Sequence, residues 1–527
     1  MEPALEQTRP AEKRIDPIAA WCLIATFLVA VSGLIYELVA ATASSYLLGD
    51  SVLQFSLVIG VFLASMGLGA WVSRFVADPL LGFIGAQASL AAVGAAIAPL
   101  AFTAFGYGHS PASPIYIGLV LVGVLSGMEI PLLTRVLSDL KAGKFALENV
   151  LSADYLGALA ASIAFPILLV PYLGLVNAGL VFGGLNFIVA ALSLWVFRDR
   201  LQGPRMRKAR RLVAVGGLGL CATVFSGPSM VAQADRNMFQ DPIIYREATP
   251  YQEIVITSGK GRTRLFLDRS IQFDSRDEAI YHETLVHPTM AMAPRRARVA
   301  ILGGGDGMAI REVLRWDDVE EVFLIDIDKR LPEIFSDMPE LAALNDGAFH
   351  DPRVKIMSVD AWRYLAESED EAYDVAILDL PDPKNLSLAR LYSAEFYSLM
   401  RNRLSANGVA VVQSGSPLFA REAYWSVAGA LETAFAPQGD LGRPVDLVSA
   451  HVNVPSFGEW GFHYLRAGAA KREGLTFPEG LTFLDEGEWE RAQIFGPLTE
   501  RVPAEANKLQ TLPLARYYQQ GWDKWMR

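Results

Sequence analysis

The residues of this chain best suited to chemistry are a set of aspartates beside a run of glycines. In "VAILGGGDGMAIRE", residues 299–312, Gly303, Gly304, Gly305 and Gly307 let backbone approach a ligand closely, and Asp306 sets a carboxylate among them. Asp326 ends the next apolar run about 20 residues later, the spacing at which an acid meets ribose hydroxyls in dinucleotide- and adenosine-binding loops. The glycines do not spell G-x-G-x-x-G, however, and Asp306 would repel a pyrophosphate, so a phosphate-bearing cofactor is disfavoured. A third apolar run ends in Asp360-Ala361, and a fourth in "LDLPDP", where Asp379 and Asp382 stand three apart across a proline-containing turn. Taken alone, such a pair reads as turn and helix-cap chemistry. Together with Asp306 it puts three carboxylates on one rim, which suits a cation.

These residues need a scaffold that brings them to one edge. "RVAILGG", "EEVFLIDI", "VKIMSV", "YDVAILDL" and "GVAVVQSG" are short apolar runs alternating with helical stretches, the pattern of a parallel sheet covered on both faces. Such doubly wound, Rossmann-like sheets of the class I methyltransferase type bind ligands beyond the carboxyl ends of their strands. Residues 243–274 alternate apolar and polar side chains about Ser258-Gly259-Lys260-Gly261 and predict a β-hairpin region ahead of the sheet. The expected order is a tail (1–16), a transmembrane domain (17–234), a small β region (235–295), the sheet domain (296–470) and a helical extension (471–527). The extension carries aromatic and charged residues at helical spacing, suited to packing on the sheet domain or lying on a membrane surface, and it is assigned no chemistry.

The first part of the chain differs in kind. Of 527 residues, those from 17 to 234 are dominated by apolar stretches nearly free of charge, and crossing a bilayer takes roughly 20 such residues. About seven spans are expected, at 17–41, 51–73, 79–102, 114–138, 149–171, 175–197 and 212–231. Lys and Arg collect before the first span (Arg9, Lys13, Arg14) and after the second (Arg74), fourth (Arg135, Lys141, Lys144) and sixth (Arg198 to Arg211). By the positive-inside rule this puts the N-terminus in the cytoplasm and favours a periplasmic site for the sheet domain. The basic cluster, the apolar run after it and Ala232-Gln233-Ala234 also have the form of an internal signal peptide, although a plain seventh span is the preferred reading. Glu37, Glu129 and Asp154 fall within spans, where acids are expensive and expected to face one another, a cavity or water. A net charge of −11 argues against nucleic acid as a partner. Two cysteines, both inside spans, indicate no disulfide framework, and six histidines without ligand spacing indicate no metal.

In order along the chain, "YQEI", "LFLDRSIQF", "DEAIYHETLVHP", "VAILGGGDGMAIREVL", "VEEVFLIDID", "VDAWRYL", "YDVAILDLPDP", "LYSAEFYSLM" and "FGEWGF" resemble the spermidine synthases, or polyamine aminopropyltransferases, over residues 243 to 465. The N-terminal multi-span region is similar to the membrane-fused bacterial branch of that family. The resemblance implies transfer of the aminopropyl group of decarboxylated S-adenosylmethionine to an amine acceptor, putrescine or another polyamine, with methylthioadenosine released and no cofactor or metal beyond that co-substrate. Asp379 would be the catalytic carboxylate, with Tyr281 orienting the amine. Gln252, His282, Gly303, Gly305, Asp306, Asp326, Asp360 and Ala361 would receive the nucleoside, with Asp306 facing the aminopropyl ammonium. Gln272, Asp382 and Gln413 would receive the acceptor. The family also implies a possible homodimer.

Three differences from the family pattern stand out. Leu380 and Pro381 replace hydroxyl residues between the two aspartates, Pro455 falls where an acceptor-site tyrosine is expected, with Phe457 and Trp460 nearby, and Asp326 replaces a glutamate. The acceptor is therefore left open. Two alternatives share the pattern: an S-adenosylmethionine-dependent methyltransferase, against which Asp306 and the Asp379/Asp382 pair speak, and a transporter or sensor whose synthase-like domain only binds polyamine.

Overall fold

The structure is a computed structural model. It describes residues 17–49, 51–139, 146–368, 372–436, 445–467 and 474–526. Arg9, Lys13, Arg14, Lys141 and Lys144 of the charge pattern lie outside these. The chain divides after Gln240 into two compact units.

The first unit is helical. Six segments are long and apolar enough to cross a membrane: Pro17–Leu48, Val52–Ser73, Pro79–Gly106, Ala112–Ser138, Leu147–Val196 and Pro204–Phe239. The expected spans at 149–171 and 175–197 thus fall in one apolar segment instead of two separated by a polar loop. Backbone conformation supplies the break that composition does not: a π-helical turn at Phe165–Leu169 and Gly174, at φ 68° and ψ 174°, interrupt the helix. The side chains form two apolar cores. One holds Cys22, Leu80, Leu132, Val150, Phe197 and Ala209, and the other Tyr36, Phe62, Leu119, Phe165, Leu175 and Ala178. Small residues let the helices approach: a Cβ on Gly216 would lie 2.2 Å from the Ala88 carbonyl oxygen, and one on Gly183 would lie 2.7 Å from that of Ala91. Helix Pro204–Phe239 runs through Ala232-Gln233-Ala234 without a break.

The second unit has two sheets. β1 (Ile243–Ala248), β2 (Glu253–Gly259), β3 (Arg262–Leu267) and β4 (Ser270–Asp274) make an antiparallel sheet in that order. The turn between β2 and β3 uses Lys260 and Gly261, both at positive φ, as the hairpin pattern predicts. The larger sheet has seven strands: β5 (Arg298–Gly303), β6 (Glu321–Asp326), β7 (Val354–Ser358), β8 (Tyr373–Asp379), β9 (Leu404–Gln413), β10 (Val445–Val454) and β11 (Gly458–Ala467), ordered β10-β11-β9-β8-β5-β6-β7. β5 to β9 are parallel, but β11 pairs antiparallel with β9 and β10 with β11, so the sheet is mixed, not wholly parallel.

Alternation of side chains along each strand builds a core on each face. Val299 and Ile301 of β5 pack with Val375, Ile377, Val409 and Val411 beneath helices Glu278–Met292 and Met308–Leu314. Ala300 and Leu302 pack on the other face with Ala376, Leu378, Ala410 and Val412, covered by Ala394–Arg403, Arg421–Phe435 and Pro513–Met526. From β5 the chain lays down β6 and β7 on one side and then returns to place β8 on the other. The gap between the carboxyl ends of β5 and β8 is therefore the switch point at which such sheets open a crevice.

Candidate active site

A cavity of about 340 Å³ opens at that switch point. The residues expected there from sequence all line it. Gly303, Gly305, Asp306, Asp326, Asp360, Ala361, Asp379, Asp382 and Gln413 come from the strand ends and the loops after them, Tyr281 and His282 from helix Glu278–Met292, Gln272 from β4 of the small sheet and Gln252 from the turn just before β2.

The glycines set how closely the strand ends can meet. Gly303, the last residue of β5, pairs with Asp379, the last of β8. At φ 81°, a Cβ on it would come 2.1 Å from the Asp379 carbonyl oxygen, so a side chain here would force the two strand ends apart. Gly305 works the other flank, where a Cβ would meet Asp326 Oδ2 at 2.7 Å. Asp306 is 7% exposed and its Oδ1 accepts from the Met308 N–H, 3.0 Å away, at the start of helix Met308–Leu314. The loop thus carries its own anion at the helix start, where a phosphate would otherwise bind.

Burial and like charge raise the acids here. Asp379 is pushed up to about 6 by burial, with Asp306 adding to the rise and His282 and Tyr281 opposing it. Asp326 also reaches about 6, through burial and the nearby Asp328, Asp306 and Asp379 carboxylates, against a hydrogen bond from the Asp328 N–H. Burial likewise raises Asp306 and Asp382. His282 is the counterweight: burial disfavours its charge, but Glu278, Asp306 and Asp379 outweigh that and lift it to about 9. Its Nδ1 lies 2.7 Å from Glu278 Oε2, and Glu278 in turn accepts from Arg311 Nη2 at 3.0 Å.

The two ends of the cavity differ. At one, Asp326 lies beside Asp328, which accepts from Gln252 Nε2 at 3.0 Å and from the Thr249 hydroxyl at 2.7 Å. Asp360 caps helix Ala361–Glu367 through Arg363 N–H at 3.0 Å and accepts from Arg390 at 2.5 Å, leaving further lone pairs on its oxygens. At the other end the Tyr281 hydroxyl donates to Asp379 Oδ1 at 2.5 Å. Gln413 Nε2 donates to the Leu380 carbonyl and to the Tyr392 hydroxyl, and Gln413 Oε1 accepts from Trp460 Nε1 at 3.2 Å. Lys384 Nζ donates to Ser270 Oγ at 2.9 Å, and Gln272 Nε2 to the Ser270 carbonyl at 3.2 Å. Pro455 is exposed in the turn after β10, and the wall near it is made by Phe457 and Trp460. Among the described residues no cluster of His, Cys, Asp and Glu could hold a metal ion.

The sequence reading passed over several members of the site. Glu278 stands one helical turn before His282, a legible i,i+4 pair. Asp328 lies two residues past Asp326. Tyr518, on helix Pro513–Met526, donates to Asp382 Oδ2 at 2.6 Å from 136 residues away, for which sequence carries no local signal.

The spermine/spermidine synthase domain matches residues 278–466. A protein of Leptospira interrogans described as a polyamine aminopropyltransferase is 39% identical over 503 residues, covering 95% of this chain and 98% of its own length. This chain belongs to the polyamine aminopropyltransferase family. A polyamine aminopropyltransferase of Ralstonia nicotianae is 41% identical over 511 residues, again covering 95% of this chain and 98% of that protein. Matches of that extent take in most of the helical unit as well as the synthase domain. Among solved structures, spermidine synthase from Thermotoga maritima aligns with 48% of this chain and 84% of its own, with 23% identity and a TM-score of 0.41.

Proposed function

We propose that the protein transfers an aminopropyl group from decarboxylated S-adenosylmethionine to a polyamine acceptor, releasing methylthioadenosine. The observation that carries this reading is the meeting of Asp306 and the Tyr281–Asp379 pair at one buried crevice, in a chain whose full-length relatives are described as polyamine aminopropyltransferases.

An alkylamine with a pKa of about 10 holds its proton at neutral pH and has no lone pair to attack with. Asp379, raised to about 6 by burial, is ionised at pH 7 and accepts that proton while Tyr281 fixes its orientation. The freed nitrogen attacks the methylene carbon next to the sulfonium, the carbon–sulfur bond breaks, and its electron pair stays on sulfur as the neutral thioether. Asp306 holds the ammonium of the transferring arm and turns away the carboxylate of S-adenosylmethionine itself. Gln252, His282 and Asp326 hold the nucleoside, Asp360 and Ala361 the adenine edge, and Gln272, Asp382 and Gln413 the acceptor. Alignment of two bound substrates supplies much of the rate.

The helical unit is read as a multi-pass membrane domain with seven crossings. Segment Leu147–Val196 is 50 residues, about 75 Å at 1.5 Å per residue, against about 30 Å of hydrocarbon. Its Val150 lies in one core, Phe165, Leu175 and Ala178 in the other, and Val189 and Ala190 back in the first, which fits a hairpin turning near Gly174. Arg74, Arg198, Arg200 and Arg205 flank the first core, so the positive-inside rule makes that end cytoplasmic. Helix Pro204–Phe239 runs from there to the opposite end, where Ala234 meets Gly106, and this favours a periplasmic synthase unit.

Purified protein supplied with decarboxylated S-adenosylmethionine and putrescine should form methylthioadenosine, and Asp379→Asn should lower kcat by roughly 10²–10⁴-fold. S-adenosylhomocysteine from S-adenosylmethionine would instead identify a methyltransferase.

A further inference from the structure

We infer that the C-terminal helix Pro513–Met526 is part of the acceptor end of the site, with Tyr518 a positioning residue that aims Asp382. This rests on the transfer reaction proposed above and extends it to a segment beyond the matched synthase domain, which ends at 466.

The helix is held firmly against the loop it serves. Leu514 and Ala515 are buried in the core that contains Leu380, Tyr392 and Met400. A Cβ on Gly521 would lie 2.6 Å from the Ala420 Cα, so the helix backbone rests on the turn before helix Arg421–Phe435. Trp522 packs on Phe419 with ring centroids 4.9 Å apart. Ahead of the helix, Asn507 Nδ2 donates to the Ala389 carbonyl at 2.7 Å, and the Asn507 carbonyl accepts from the Ala394 N–H at 2.9 Å. The segment is thus tied at both ends to the chain that follows the Asp379–Asp382 turn.

Two side chains on adjacent positions of this helix reach that turn. The Tyr518 hydroxyl donates to Asp382 Oδ2 at 2.6 Å, and Gln519 Nε2 donates to the Lys384 carbonyl at 3.2 Å. Asp382 lines the cavity, whereas Tyr518 stands behind it, so the phenol acts through the carboxylate and not on the substrate directly. A phenol that spends its proton on Oδ2 fixes the carboxylate plane and leaves the remaining lone pairs for an ammonium in the cavity. The groups facing Asp382 are Tyr518, Lys384 of its own loop, Gln413 of β9, and more remotely Tyr281 and Tyr392. Burial raises this acid, while the Tyr518 hydroxyl, Lys384 and Gln413 favour its charge. Loss of the hydroxyl removes one support for the anion, which then forms only at higher pH.

The test is Tyr518→Phe in the full-length protein, with Tyr517→Phe beside it as a control that leaves the Asp382 contact intact. In Tyr518→Phe the KM for putrescine should rise about 5- to 20-fold while the KM for decarboxylated S-adenosylmethionine stays within about 2-fold, and the acid limb of kcat/KM for the amine should move to higher pH. Tyr517→Phe should change neither. An unmoved acid limb with unchanged amine KM, or an equal loss for both substrates, would overturn the assignment. Wild-type turnover separates the two readings: with no methylthioadenosine from wild type, the transfer reaction itself fails. Turnover that is indifferent to Tyr518→Phe sinks only the role of the helix.

Discussion

At the residue scale, what defines this site is an excess of carboxylates that water barely reaches. Six aspartates line one cavity, and the protein offsets them in part with His282, held protonated by Glu278 and by Asp306 and Asp379. Such an arrangement is costly when empty and suits cationic ligands, such as a sulfonium with an ammonium arm beside a protonated polyamine. In the proposed reaction, Asp306 would be the point of discrimination. Asp306→Asn keeps its shape and its acceptor oxygen for the Met308 N–H but removes the charge. The preference for decarboxylated S-adenosylmethionine over S-adenosylmethionine should fall about tenfold or more, measured as the ratio of binding constants, and an unchanged ratio would place the ammonium elsewhere. As the proposed base, Asp379 would contribute to the pH response. As a base it works only when ionised, and its value near 6 lies above that of a solvated aspartate, so kcat/KM should fall as pH drops through about 6. The sequence disclosed these residue types and their spacing, but burial, which sets the protonation behaviour, cannot be read from spacing.

At the scale of elements, the site depends on how the loop after β5 lets strands end close together. The parallel strands were legible because each is a short apolar run separated from the next by a helical stretch, and the carboxyl-end rule then gave the edge at which Asp326, Asp360 and Asp379 appear. The antiparallel pair β10 and β11 was not, since its alternation is mixed with polar residues such as Ser449, His451, Asn453 and His463 that fit no single pattern. Gly303 is the element-level test. Gly303→Ala meets both a left-handed backbone and the Asp379 carbonyl, so it should destabilise the protein by at least about 2 kcal/mol. Its thermal midpoint in detergent should fall by on the order of 5 °C, and activity should fall with it. A variant that keeps both would mean that the β5 and β8 ends have room to separate.

For the molecule as a whole, the proposed membrane domain predicts on which face of a bilayer the synthase unit lies. The charge pattern and the path of the helices between their two cores favour the side opposite the N-terminus. Glu340 is exposed on the synthase unit, and Glu340→Cys, made in a background with Cys221→Ala, gives one accessible thiol for labelling. A membrane-impermeant thiol reagent should label it in intact cells. Labelling only after permeabilisation would put the unit in the cytoplasm and require one crossing fewer or more.

By itself the sequence determined the division into an apolar helical part and an α/β part, the five parallel strands, and the family to which the motifs belong. Those follow from local periodicity and from short motifs that each lie within one strand-loop-helix unit. Only the tertiary structure decided that segment Leu147–Val196 breaks at Gly174 without a polar linker, that the sheet is mixed, and that Tyr518 meets Asp382. The reason is common to all three: each depends on a backbone angle or on a contact between residues far apart in the chain, and neither leaves a mark in the composition of any one stretch.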